Sequence, residues 1–194
     1  MPFAVLDAKH QLTPFLQSHG LRYSAFTGAE NLPVIVADGA PFARVSDYVA
    51  GGGTAVFLNV SSTQLSAFQA RLRPARGNWD PVNHGVRPHP IFDGLPAGDF
   101  MGQTYLNVCA NETIQGIAEP PVVGSLSFDF GQGTMERNYT GPKDAWWGSD
   151  MVVVPQGKGR VLLSTLHITE NLGKDPVADK LLYNIVRWAA APGN

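Results

Sequence analysis

What most constrains this chain is the cadence before Leu72, where short apolar runs of strand length alternate with stretches of helical spacing. Phe3-Ala4-Val5-Leu6 is one such run, followed by Leu12, Phe15 and Leu16 on one helical face. Gly20 stands where that helix would stop, and residues 21–26 alternate as a strand does. Residues 33–38 are apolar up to Asp38, the pattern of a strand buried on both faces. Val45, Tyr48 and Val49 form a helical stripe that ends in Gly51-Gly52-Gly53. Residues 54–60 give another buried strand, and Leu65, Phe68 and Leu72 mark a further helix. Strands and helices in this order make crossover units and a parallel sheet.

Between residues 73 and 121 the pattern dissolves into prolines, glycines and isolated aromatics, which reads as a long functional or interface loop. Order returns over residues 122–130 and at Met151-Val152-Val153-Val154. Gln156-Gly157-Lys158-Gly159 predicts a tight turn that joins this strand to residues 160–166 as an antiparallel hairpin. Asp175-Pro176 starts a helix, with Asp as N-cap and Pro at the first helical position. Val177, Leu181, Ile185 and Trp188 then recur on one face of it. No repeat or linker divides the 194 residues, so a single α/β domain over residues 1–194 is expected.

Composition narrows the function classes. Lys and Arg number 14 against 16 Asp and Glu, and a net charge of −2 argues against a nucleic-acid partner. Charged residues are 15%, against about 25% in a typical soluble domain, so part of the surface is expected to pack against something else. Cys109 is the single cysteine, which excludes an intrachain disulfide and a cysteine-based zinc cluster. No apolar run reaches the roughly 18 residues of a membrane span, and Met1-Pro2-Phe3 does not open a secretory signal. A cytoplasmic location is expected if the chain is complete, and a periplasmic or secreted one if it is excised from a longer enzyme.

Three stretches carry a resemblance. Gly157-Lys158-Gly159-Arg160-Val161-Leu162-Leu163-Ser164 is one, and Glu170-Asn171-Leu172-Gly173-Lys174-Asp175-Pro176-Val177-Ala178 with Leu181-Leu182-Tyr183-Asn184 is the second. The third is His89-Pro90-Ile91-Phe92-Asp93-Gly94-Leu95-Pro96. Together they resemble the class I glutamine-amidotransferase-like domain associated with family 2-type and β-galactosidase-related glycoside hydrolases. That resemblance implies a flavodoxin-like, three-layer α/β/α fold, its mainly parallel sheet carrying an antiparallel hairpin near the C-terminus. The amidotransferases of this superfamily use a Cys nucleophile at a strand-to-helix elbow and a His-x-Glu pair after a late strand. Here the elbow region carries Ser61-Ser62-Thr63, and the late pair is the wider His167-Ile168-Thr169-Glu170. Both departures speak against glutamine hydrolysis.

The candidate site residues fall into groups. Ser61 or Ser62 with His167 and Glu170 could form a nucleophilic site, given a base within about 3 Å of the hydroxyl. The same serines suit the N-cap of a helix beginning near Thr63, and β-branched Val60 and Thr63 are poor neighbours for a strained elbow. His84, His89, Asp93 and Asp99 share the irregular segment, but no close two-histidine spacing marks a metal site, and His89 between two prolines suits a braced turn. Trp146-Trp147, with Trp79, Tyr105 and Tyr139, could stack on sugar rings or cover a partner from a loop. No cofactor is expected, because Gly51-Gly52-Gly53 precedes a strand and Gly157-Lys158-Gly159 lies in a hairpin, neither the order of a phosphate-cradling loop.

The functional expectation is therefore a non-catalytic accessory domain of a glycoside-hydrolase-type protein, supporting assembly or shaping a neighbouring sugar site. Its partners would be a catalytic glycoside hydrolase domain, a second copy of itself, or a glycan. The alternatives are a stand-alone small hydrolase using a Ser-His-Glu site, and a free sugar-binding module. In each case the segment from Trp79 to Trp147 is expected to carry the recognition.

Overall fold

In the computed structural model, residues 2–7, 9–29, 31–37, 39–75, 83–129 and 144–191 are described. The chain runs β1 (Phe3–Leu6), α1 (Thr13–Ser18), β2 (Tyr23–Ala25), β3 (Val34–Val36), α2 (Ser46–Ala50), β4 (Thr54–Phe57) and α3 (Ser62–Leu65). It continues through β5 (Arg71–Pro74), β6 (His84–Val86), β7 (Glu112–Gln115), β8 (Val123–Asp129), β9 (Asp144–Gln156), β10 (Gly159–Ser164), α4 (Ile168–Asn171) and α5 (Pro176–Ala190). One mixed sheet takes the order β2-β1-β3-β4-β10-β9-β7-β5, with β8 paired to β9 and β6 to β8. From β2 to β10 every neighbouring pair is parallel. From β10 onward every pair is antiparallel.

The parallel half follows from its apolar runs. Ala4, Leu6, Val34, Val36, Ala55, Phe57, Val161 and Leu163 enter one core, which also holds Val45 and Val49 beside α2 and Leu65 of α3. Their alternating neighbours Phe3, Val5, Ile35, Val56 and Leu162 enter a second core with Leu16 of α1 and Leu181, Leu182 and Ile185 of α5. Each such side chain withdrawn from water contributes roughly 1.5–3 kcal/mol, which is why period-2 strands buried on both faces dominate here. Helix α5 begins as its sequence predicts: Pro176 follows the N-cap Asp175, whose carboxylate accepts the Val177 N–H at 2.8 Å.

The C-terminal hairpin is present too. Gly159 pairs with Gln156, and Gly157 at φ +62° takes the left-handed first position of its two-residue turn. A side chain there would meet the backbone of Ala50, and one at Gly159 would strike the carbonyls of Val49 and Gly53. The glycine words at 51–53 and 157–159 are thus a packing seam between α2 and the hairpin.

Three expectations give way. The helix expected over Leu65, Phe68 and Leu72 is one α turn and one 3-10 turn, because Gln69 at φ +55° reverses the chain and puts Leu72 on β5. The segment expected to be irregular contains β6 and β7, strands of three and four residues whose partners lie far along the chain. Trp146 and Trp147 lie on β9 and not in a loop, held by continuous pairing with β8. No described helix is long and apolar enough to cross a membrane.

Candidate functional site

Strands β4 and β10 are parallel neighbours, so the segments that follow them emerge at the same, carboxyl edge of the sheet. The segment after β4 reaches Asn59, which sits in the left-handed region at φ +53°. Few residues other than glycine tolerate this conformation, asparagine among them, and such positions cluster at functional turns. The segment after β10 carries His167 at the N-cap of the short α4, and Thr169 and Glu170 within it. The two are tied together. Asn59 Nδ2 donates to Thr169 Oγ1 at 2.9 Å and to Glu170 Oε1, and the Val60 N–H donates to the Ser164 carbonyl at 2.9 Å.

His167 Nδ1 lies 3.8 Å from Glu170 Oε1. Its interaction with Glu170 raises the imidazole above its usual value, outweighing partial burial. On Glu170 partial burial acts upward, yet bonds from His167, its own backbone N–H, Asn59 and Thr169 hold the carboxyl down at about 2. The carboxylate is therefore fully ionised at neutral pH and the imidazole is biased toward its cation. This is an ion pair whose carboxylate also accepts from the Asn59 amide, and that position on the β4 side offers no nucleophile.

Ser61 is the N-cap of α3, accepting the Gln64 N–H while Gln64 Oε1 accepts the Ser61 N–H at 2.8 Å. The Ser61 hydroxyl also donates to Gln64 Oε1 at 3.2 Å. This reciprocal capping box occupies the hydroxyl. Ser62 is an exposed first residue of the same helix. Among the described residues neither serine bonds to His167, so the expected Ser-His-Glu constellation is not assembled here.

The aromatic candidates separate. Trp146 is 7% exposed; its Nε1 donates to the Pro74 carbonyl at 3.1 Å, and the Arg73 guanidinium covers its ring at 3.6 Å. Trp147, its neighbour on a pleated strand, faces the other way and is 54% exposed. Its indole lies against Gly124, where an added Cβ would come 2.6 Å from Cζ2. With Phe100, Pro121, Val86 and Arg87 it walls a shallow groove of about 320 Å3. Tyr105 is fully buried, donates to the Pro96 carbonyl and meets Phe92 edge-on, and burial pushes its hydroxyl up to about 12. It is a core residue, which removes it from the ligand or interface set. His89 caps the 3-10 turn Pro90–Phe92 by accepting the Ile91 N–H at 3.3 Å, and also lines a cavity. Trp79, like Tyr139, lies outside the described residues.

His84, considered as a metal ligand, is buried against Asp150. Among the described residues no group of three His, Cys, Asp or Glu could hold a metal ion. Sequence reasoning singled out Ser61 and Ser62 after β4 and missed Asn59. The available signal was an asparagine directly after an apolar run, the residue best suited to a left-handed turn without glycine. The chain matches no protein-family model and no curated protein.

Proposed function

We propose that this chain is a non-catalytic accessory domain of a carbohydrate-active, glycoside-hydrolase-type protein, built on a flavodoxin-like scaffold. The parallel order β2-β1-β3-β4-β10 supports the scaffold, since flavodoxin-like sheets run 2-1-3-4-5 with helices on both faces. One observation carries the non-catalytic reading: the left-handed turn after β4 presents the Asn59 amide, bonded to Glu170 and Thr169, where acyl-transfer chemistry needs a nucleophile. An amide nitrogen's lone pair is delocalised into its carbonyl, which leaves it a poor nucleophile. The glycoside-hydrolase context rests on the resemblance of residues 89–96 and 157–184 alone. In it, the exposed Trp147 and Phe100 groove on the antiparallel half is the surface that would meet a catalytic domain or a glycan.

Incubation of the purified chain with glutamine, p-nitrophenyl acetate and p-nitrophenyl glycosides tests the reading. No turnover above buffer is the expected result. Hydrolysis of any of them that His167→Ala abolishes would overturn it in favour of a small hydrolase.

A further inference from the structure

A cavity of about 820 Å3 lies between the 3-10 turn Pro90–Phe92 and the last turns of α5. His89, Arg160, Asn184, Arg187 and Trp188 line it. Arg160 is the second residue of β10 and His167 follows its end, so this cavity is at the opposite edge of the sheet from the Asn59 cluster, about 20 Å away along the strand. Its size is that of a small-molecule pocket.

The lining is rich in oriented donors. Arg160 Nη2 donates to the carbonyls of Trp188 and Ala191 at 3.1 and 3.0 Å, and Nε donates to Thr54 Oγ1 at 3.3 Å. Its guanidinium lies 4.3 Å from the centre of the Trp188 ring. These contacts fix the plane and leave Nη1, with two further N–H donors, unpartnered among the described residues. His89 Nδ1 is an acceptor for the Ile91 N–H, so in the neutral ring the proton sits on Nε2. Burial, and after it the charges of Arg87 and Arg160, hold His89 below its usual value and keep it neutral at pH 7. Arg187 reaches Asp93 at only 3.4 Å, a long and half-exposed pair. Asn184 donates to the carbonyls of Ile91 and Asp93, both at 2.9 Å, and so fixes the turn that carries His89. The charged groups lining the cavity are thus Arg160 and Arg187 against one carboxylate, Asp93, while Arg87 acts on His89 from outside it. A cavity with this balance calls for an acceptor-rich, negatively charged guest.

We propose that this cavity binds a small oxyanion carried on a sugar-sized ring, the anion held by Arg160 Nη1, His89 Nε2–H and Arg187. The chemistry required is a planar or tetrahedral oxyanion, whether the carboxylate of a uronic acid or the phosphate of a sugar phosphate. The inference stands on the lining of this cavity and does not depend on the accessory-domain reading.

Calorimetric titration of the chain at pH 7 with glucuronate, glucose 6-phosphate and glucose tests it. At least one charged sugar should bind at least about tenfold more tightly than glucose, and which one does identifies the oxyanion. Arg187→Gln should remove most of that preference. His89→Asn, which keeps an acceptor for the Ile91 N–H, should weaken binding several-fold without lowering the melting temperature. In the wild type, the bound oxyanion should raise the His89 pKa measured by NMR. Equal or undetectable binding of all three sugars would overturn the proposal. So would charged-sugar binding that both folded variants leave unchanged.

Discussion

The two halves of the sheet are held together by different physics. In the parallel half, β1, β3 and β4 are buried at every position and, apart from Thr54, wholly apolar. In the antiparallel half, His84, Ser125 and Asp150 are buried to within 1% of complete, and they are bonded to one another. Asp150 Oδ2 lies 2.7 Å from His84 Nδ1, and Oδ1 accepts the Ser125 hydroxyl at 2.8 Å. His84 and Ser125 are cross-strand partners on β6 and β8. Asp150 is the residue left over on β9 where the register steps from Val123–Met151 to Gly124–Ser149. That bulge turns a carboxylate inward, toward the two groups that can satisfy it. Apolar burial is non-directional and tolerates exchange among similar side chains, whereas a buried polar network fixes which strands meet and in what register.

The comparison breaks most readily at Asp150. Asp150→Ala leaves an imidazole and a hydroxyl buried without their acceptor and should cost about 3–5 kcal/mol in urea unfolding. A double-mutant cycle with His84→Ala should show strong coupling; additivity would mean that the two do not form one unit. In the parallel half, Leu162→Ala should cost about 3 kcal/mol through the cavity it leaves, and its cycle with any residue of the polar network should be additive. Ser61→Ala removes a cap and should cost about 1 kcal/mol by the same measurement, with no effect on the antiparallel half.

The His167–Glu170 pair predicts a small pH effect. Glu170, depressed to about 2, contributes stability that is present above its ordinary 4.5 and lost as pH falls toward 2. His167, raised, contributes stability present below its ordinary 6.5 and lost as pH rises through its higher folded value. Above the range in which the lowered His89 titrates, thermal melts should therefore lose a little stability from pH 7 to pH 9, and Glu170→Gln should abolish that dependence. Added salt should shrink it, since both side chains are partly exposed. Trp147→Ala should also cost only about 1 kcal/mol, since its ring is half-exposed and loses chiefly its packing against Gly124.

The same contrast decides what was legible in the sequence. Residues 3–6, 34–36 and 54–57 announce themselves because an apolar run of strand length has few other destinations, and Asp175-Pro176 announces α5 because capping chemistry is local. His84 reads as a candidate site residue, and Ser125 and Asp150 draw no notice, because a polar side chain shows nothing of the partner 25 or 66 residues away that satisfies it when buried. Trp146 and Trp147 were legible as important but not as opposites; their different exposures follow from strand alternation, invisible until β9 is known to be a strand. Asn59 was hidden for another reason. A single left-handed residue leaves no periodic trace.

Strand β10 has a consequence for how the chain is made. It lies between β4 and β9, yet about a hundred residues separate its first position, Gly159, from the end of β4 at Phe57. While a ribosome is still adding those residues, β4 has an open flank of backbone N–H and carbonyl groups beside an apolar face. At about 5–20 residues per second that flank stays uncovered for several seconds or more, the interval in which a nascent chain is most exposed to pairing with another copy of itself. A strand made long after its neighbour β4 is thus the keystone of the sheet, and a stalled product lacking residues 159–164 would be an aggregation seed.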